Sequence, residues 1–91
     1  MSNNEILACV VDRIKKIRIN SGVSQMELCL RANLSQSFLA NIESGKKQPS
    51  LLPIIRIANA LEVSPKIFFP DIKERSKDDI KKEIMELVQL L

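Results

Sequence analysis

The 91-residue chain predicts an all-α fold. Three features carry that expectation. Apolar residues recur at the i, i+3, i+4, i+7 spacing of a single helix face, and no stretch alternates apolar and polar with a period of two over strand length. Serines stand where helices would begin, and glycine or asparagine stands where they would end. Connections between the periodic segments are short, as in a compact helical domain.

The first helix is expected from Asn4 to about Asn20, with Leu7, Val10, Val11, Ile14 and Ile17 on one face and Gly22 as its stop. Ser24 then opens a second helix. Glu27 three residues on completes a capping box, in which hydroxyl and carboxylate each satisfy an orphan amide. This helix is short, because Asn33 follows after about two turns and asparagine enters the left-handed region readily. Ser35 caps a third helix, whose inward side holds Phe38, Leu39 and Ile42 and which Gly45 closes. Its outward side is left with Gln36, Ser37, Ala40 and Asn41, which carry no charge. A merely solvated face would be expected to carry Lys and Glu.

After Lys46-Lys47-Gln48-Pro49, Ser50 caps a fourth helix through Leu61, with Leu51, Ile54, Ile55, Ala58 and Leu61 toward the core and Pro53 in its first turn. Ser64-Pro65 begins a very short fifth helix that Pro70 ends, with Phe68 and Phe69 as apolar plugs. Five helices thus fill a domain at residues 1–70. In residues 71–91 a sixth helix is expected from Ser76, with Ile80, Ile84, Leu87, Val88 and Leu91 in one stripe. At about 15 residues it is marginal alone, so it must pack on its own domain or pair with its copy in a second subunit. The pairing is the preferred expectation, making 71–91 a dimerisation element.

The formal net charge is +3. Residues 1–70 hold nine Lys/Arg against five Asp/Glu, a net of +4, whereas 71–91 hold five against six, a net of −1. The basic character lies outside the tail and suits a polyanionic partner. Cys9 and Cys29 both fall in apolar helical patterns, and two cysteines without histidine make neither a disulfide framework nor a zinc site, so buried reduced thiols are expected and no metal. No run approaches the roughly 20 apolar residues of a spanning helix, and the N-terminus lacks a basic segment followed by an apolar one; a cytoplasmic protein without membrane contact is expected. The chain has no His, Tyr or Trp and only two glycines. Without a nucleophile-base pair or a Gly-rich phosphate loop, catalysis is not expected.

Two short helices joined by a tight turn, the second with a small polar face, match what a DNA major groove admits and can pair with. The segment from Ser24 to Ser50, SQMELCLRANLSQSFLANIESGKKQPS, resembles the Cro/phage-repressor family, also called the xenobiotic-response-element family, over roughly residues 10–69. The resemblance implies a repressor-like fold and a helix-turn-helix transcriptional regulator that binds double-stranded DNA as a homodimer on an inverted repeat. It implies that Gln36, Ser37 and Asn41 read bases, while Ser24, Gln25, Ser35, Lys46 and Lys47 hold phosphates. It also implies a structural ion pair between Arg18 and Glu43. Cys29 stands where the family usually has a small alanine and Asn33 where it has a glycine; both residue types are compatible with the motif's geometry.

The small size suggests control by protein concentration, with no cofactor or small-molecule ligand. In build the chain is similar to the compact controller proteins of restriction-modification systems. The alternative is an antitoxin-like or adaptor module that binds another protein, with DNA secondary; an antitoxin would bind both, whereas an adaptor would show no sequence preference among duplexes.

Overall fold

The structure, a computed structural model, describes residues 1–71. It contains four α-helices, α1 (Asn3–Asn20), α2 (Gln25–Ala32), α3 (Gln36–Glu43) and α4 (Leu51–Ala60), followed by a 3-10 turn at Pro65–Phe68, and the described residues include no strand. The fold is therefore all-α, as expected. The fifth helix is a single 3-10 turn, too short between Pro65 and Pro70 to complete an α-helical ladder. The predicted sixth helix, with Ile80, Ile84, Leu87, Val88 and Leu91, lies outside the described residues.

Local chemistry sets the helix boundaries. Ser2, Ser24 and Ser35 each accept a hydrogen bond at Oγ from the amide three residues on, Glu5, Glu27 and Phe38 respectively, at 3.0–3.2 Å. Each bond satisfies one of the orphan donors at a helix start. The Glu27 carboxylate, expected to reach back to the cap, instead lies against Arg31 one turn on, at 3.5 Å. α1 ends where Gly22 enters the left-handed region at φ 71°, which lets the Val23 amide donate to the Arg18 carbonyl at 3.1 Å. α2 ends at Asn33, itself left-handed at φ 55°, with the Leu34 amide donating back to the Cys29 carbonyl at 3.0 Å.

The apolar faces meet in one core. Val10 and Ile14 of α1, Leu28 of α2, Leu39 and Ile42 of α3, Ile57 and Ala58 of α4 and Phe68 of the 3-10 turn are fully buried. Leu7 and Val11 are half-buried at the edge, as is Phe38. α4 departs from its expected register. Ile57 is in the core, whereas Leu51 is 64% exposed and Ile55 only half-buried. The buried set Ile54, Ile57, Ala58 and Leu61 is itself an i, i+3, i+4, i+7 stripe, and extending it back one turn overshoots the end of the core. Ser50 occupies the cap position without a side-chain cap bond. Of the two phenylalanine plugs only Phe68 is core; Phe69 is 38% exposed. Arg13 of α1 donates to the Phe69 carbonyl at 2.8 Å and to the Ile67 carbonyl at 3.4 Å, placing a cation on the free carbonyls that end the 3-10 turn. Cys9 is half-buried and Cys29 buried, both as free thiols.

After α4 the chain reverses through Glu62 at φ 58°, with the Val63 amide donating to the Ala58 carbonyl at 3.0 Å. A residue with a Cβ pays about 1–2 kcal/mol for this conformation. Glu62→Gly relieves that strain while adding freedom to the unfolded chain, and should raise stability by about 0.5–1 kcal/mol, read as a higher Tm with an unchanged fold. An unchanged or lower Tm would show that the turn is not strained.

Candidate nucleic-acid interface

α2, a three-residue turn (Asn33, Leu34, Ser35) and α3 form a compact unit. Leu28, Cys29 and Ala32 of α2 and Leu39 of α3 are buried in the common core. The Cys29 thiol donates to the Ser35 carbonyl under the turn at 3.6 Å, and burial pushes that thiol's pKa up, with the negative Glu43 adding to the effect. A thiol held in its neutral form beneath a turn is a packing group rather than a nucleophile.

α3 turns Leu39 and Ile42 inward and leaves Gln36, Ser37 and Asn41 exposed. The three residues expected to read bases therefore share an accessible face, with half-buried Ala40 among them. Together they offer two carboxamides and one hydroxyl, each able both to donate and to accept, as base edges in a major groove require.

The residues expected to hold phosphates lie at the ends of the same unit. Ser24 and Ser35 are the N-caps of α2 and α3. Their oxygens accept from their own helices, which leaves each hydroxyl proton for an outside acceptor. Both helix N-termini carry the partial positive charge that favours an anion. In the loop after α3, Lys46 is exposed and Gly45 takes φ 82°, allowing the Lys47 amide to donate to the Asn41 carbonyl at 3.0 Å. The Lys47 ammonium sits 4.8 Å from the centre of the Phe38 ring, within cation–π range. That contact ties the loop back to α3, and no local sequence pattern announces it.

Behind this surface Arg18 and Glu43 make a bidentate ion pair. Arg18 Nε donates to Glu43 Oε2 at 2.8 Å and its Nη2 to Oε1 at 2.9 Å, while Nη1 donates to the Val23 carbonyl at 2.9 Å. Both residues are buried, at 8% and 9% exposure. Gln25 joins the cluster by donating from Nε2 to Glu43 Oε1 at 3.1 Å, a link that no local sequence pattern indicates. Burial works against the Glu43 carboxylate, but the hydrogen bonds from Arg18 and Gln25 outweigh it and hold its pKa below the ordinary value. The same pairing holds the Arg18 guanidinium above its usual range. Among the described residues no group of three or more His, Cys, Asp or Glu side chains could hold a metal, and no described helix is long and apolar enough to cross a membrane.

Comparison with known proteins agrees with this geometry. The helix-turn-helix family HTH_3 matches residues 14–68. The immunity repressor protein of Bacillus phage phi105 is 43% identical over 54 residues, which cover 59% of this chain and 38% of that one, so the chain spans well under half the length of that relative. An HTH-type transcriptional regulator of Bacillus subtilis, YqaF, is 29% identical over 75% of this chain and 90% of its own. Among solved structures, the restriction-modification controller protein C.AhdI of Aeromonas hydrophila superposes with a TM-score of 0.66 at 30% identity, covering 69% of this chain and 96% of that one. A mutant of the controller protein C.Esp1396I bound to its highest-affinity operator site matches with a TM-score of 0.64 at 33% identity, over 69% of this chain and 83% of that one.

Removing either partner of the buried pair strands a charge, so Arg18→Ala and Glu43→Ala should each cost roughly 3–5 kcal/mol in denaturant unfolding. The pH dependence has a definite sign. A carboxyl whose folded pKa is depressed contributes fully above its unfolded value, about 4.3 for Glu, and that contribution is lost as pH falls through the lower folded value. The wild-type Tm should therefore drop below about pH 4.3, and Glu43→Gln, less stable at pH 7, should show a shallower drop. Equal acid slopes for the two proteins would remove Glu43 from the acid transition.

Proposed function

The chain belongs to the helix-turn-helix family HTH_3, and on that premise we propose that it is a sequence-specific double-stranded DNA-binding regulator of transcription, acting as a homodimer on an inverted-repeat operator. The observation that carries this reading is the outward face of α3, where Gln36, Ser37 and Asn41 are exposed and uncharged while the helix is anchored from behind by Glu43. An eight-residue helix is about 12 Å long, short enough to lie in a major groove.

In this reading Gln36, Ser37 and Asn41 pair with base edges, and Ser24, Gln25, Ser35, Lys46 and Lys47 fix the register on phosphates. Residues 1–70 form the DNA-binding domain, and 71–91 serve dimerisation through Ile80, Ile84, Leu87, Val88 and Leu91. A two-fold dimer sets two α3 faces about one helical turn of DNA apart, which matches an inverted repeat. The reading involves no catalysis and places the protein in the cytoplasm with its DNA. The operator-bound controller structure and the phage repressor relative support it.

The two kinds of contact predict different losses. Gln36→Ala should weaken the preferred duplex by about 1–3 kcal/mol and relax preference at one base position, whereas Lys46→Ala should weaken all duplexes alike and reduce the salt slope by about 1. Titration of both variants against matched and mismatched duplexes at two salt concentrations distinguishes them. The same loss from both variants on every sequence would contradict the assignment of roles.

A further inference from the structure

We infer that Glu43 is a positioning residue for DNA binding: it selects the orientation of the Gln25 carboxamide, so that an N–H of that side chain is presented for a backbone phosphate at the start of α2. The inference rests on the DNA-binding reading and assigns to a buried ion pair a second role beyond stability. Gln25 is the first residue of α2, half-buried, with Nε2 donating to Glu43 Oε1 at 3.1 Å. A glutamine amide has two ends of similar shape and opposite polarity, and only its amino end can donate to a phosphate.

An ionised carboxylate accepts and cannot donate. It therefore takes the amino end of Gln25 and rejects the carbonyl end. Arg18 keeps Glu43 in place with bonds of 2.8 and 2.9 Å and, together with Gln25, keeps its carboxyl ionised. One Nε2 proton of Gln25 is spent on Glu43. The other has no acceptor among the described residues, and Gln25 is the first residue of α2, next to the Ser24 cap, at a helix end whose dipole attracts an anion. A free glutamine would have to give up rotamer freedom on meeting DNA, whereas this one is ordered beforehand. The family resemblance implies separate roles for Gln25 and Glu43, which 18 residues part in the sequence.

The test is duplex binding by wild type, Gln25→Ala, Glu43→Gln and the double variant, measured on mixed-sequence duplex DNA because a phosphate contact does not depend on sequence. Glu43→Gln keeps the shape of the side chain but can face Gln25 with either end, so the selection is lost. Gln25→Ala should bind about 10- to 100-fold more weakly, the equivalent of one hydrogen bond to a charged acceptor, and Glu43→Gln should weaken binding by no more than that. The double variant should bind no more weakly than Gln25→Ala alone. The salt slope of Gln25→Ala should stay at the wild-type value, because a neutral amide displaces no counterion, whereas loss of a cationic contact would lower it. Losses that multiply in the double variant, or a folded Glu43→Gln protein that binds as wild type, would overturn the positioning role.

Nuclear magnetic resonance of the free wild-type protein gives a second readout, independent of how the variants fold. One Gln25 side-chain amide proton should be shifted from its unstructured value and should titrate with Glu43 in acid; an averaged amide indifferent to that titration would overturn the inference. Wild-type protein that binds no duplex while the amide signal is as expected would instead overturn the DNA reading, and the inference with it.

Discussion

Arg18 and Glu43 join the first helix to the third through two short hydrogen bonds, and the placement of the candidate reading helix depends on that connection. Burying two ions is costly in itself, and a pair this dry contributes to stability only if its remaining valences are met. They are met here: the third guanidinium nitrogen donates to the Val23 carbonyl and the carboxylate takes a further bond from Gln25. The cluster therefore reaches the end of α1, the turn that follows it, the start of α2 and the end of α3. The hydrophobic effect alone, being non-directional, does not exclude a small rotation of α3. The bidentate pair does, since its fork geometry is lost with small rotations.

With the back of α3 fixed in this way, its front is free to be chosen for recognition. The helix carries no cation, and its one acid, Glu43, is turned into the protein. Cations are kept to the following loop, where Lys46 is exposed and Lys47 rests over Phe38. In the proposed function, this face of neutral donors and acceptors, flanked by capped helix starts and lysines, would separate the groups that discriminate between sequences from those that attract any duplex. That separation is what a protein needs to find a site through general attraction and hold it through specific contacts.

The parts of this structure that were legible in the sequence are those decided by short-range chemistry. Serine caps at Ser24 and Ser35, the glycine stops at Gly22 and Gly45 and the left-handed Asn33 each depend on a few neighbouring residues, and the helices follow from them. α4 was less legible because its apolar residues are too many: with Leu51, Leu52, Ile54, Ile55 and Ile57 all present, periodicity admits more than one buried face, and only packing excludes Leu51. Glu62 in a left-handed turn gave no signal, since tertiary packing imposes a conformation its side chain disfavours. At the candidate site, Arg18 and Glu43 were paired through family resemblance, not through their spacing of 25 residues. The bonds from Arg13 to the Phe69 carbonyl and from Gln25 to Glu43 arise only when distant segments meet.

Selection of bound duplexes from a random DNA pool by the purified full chain, followed by sequencing of what is retained, tests the central claim most directly. An enriched inverted repeat with half-sites about one helical turn apart is the predicted result, and it would also give the operator that α3 reads. A pool returned unchanged by folded protein would contradict sequence-specific DNA binding and favour a module that recognises another protein.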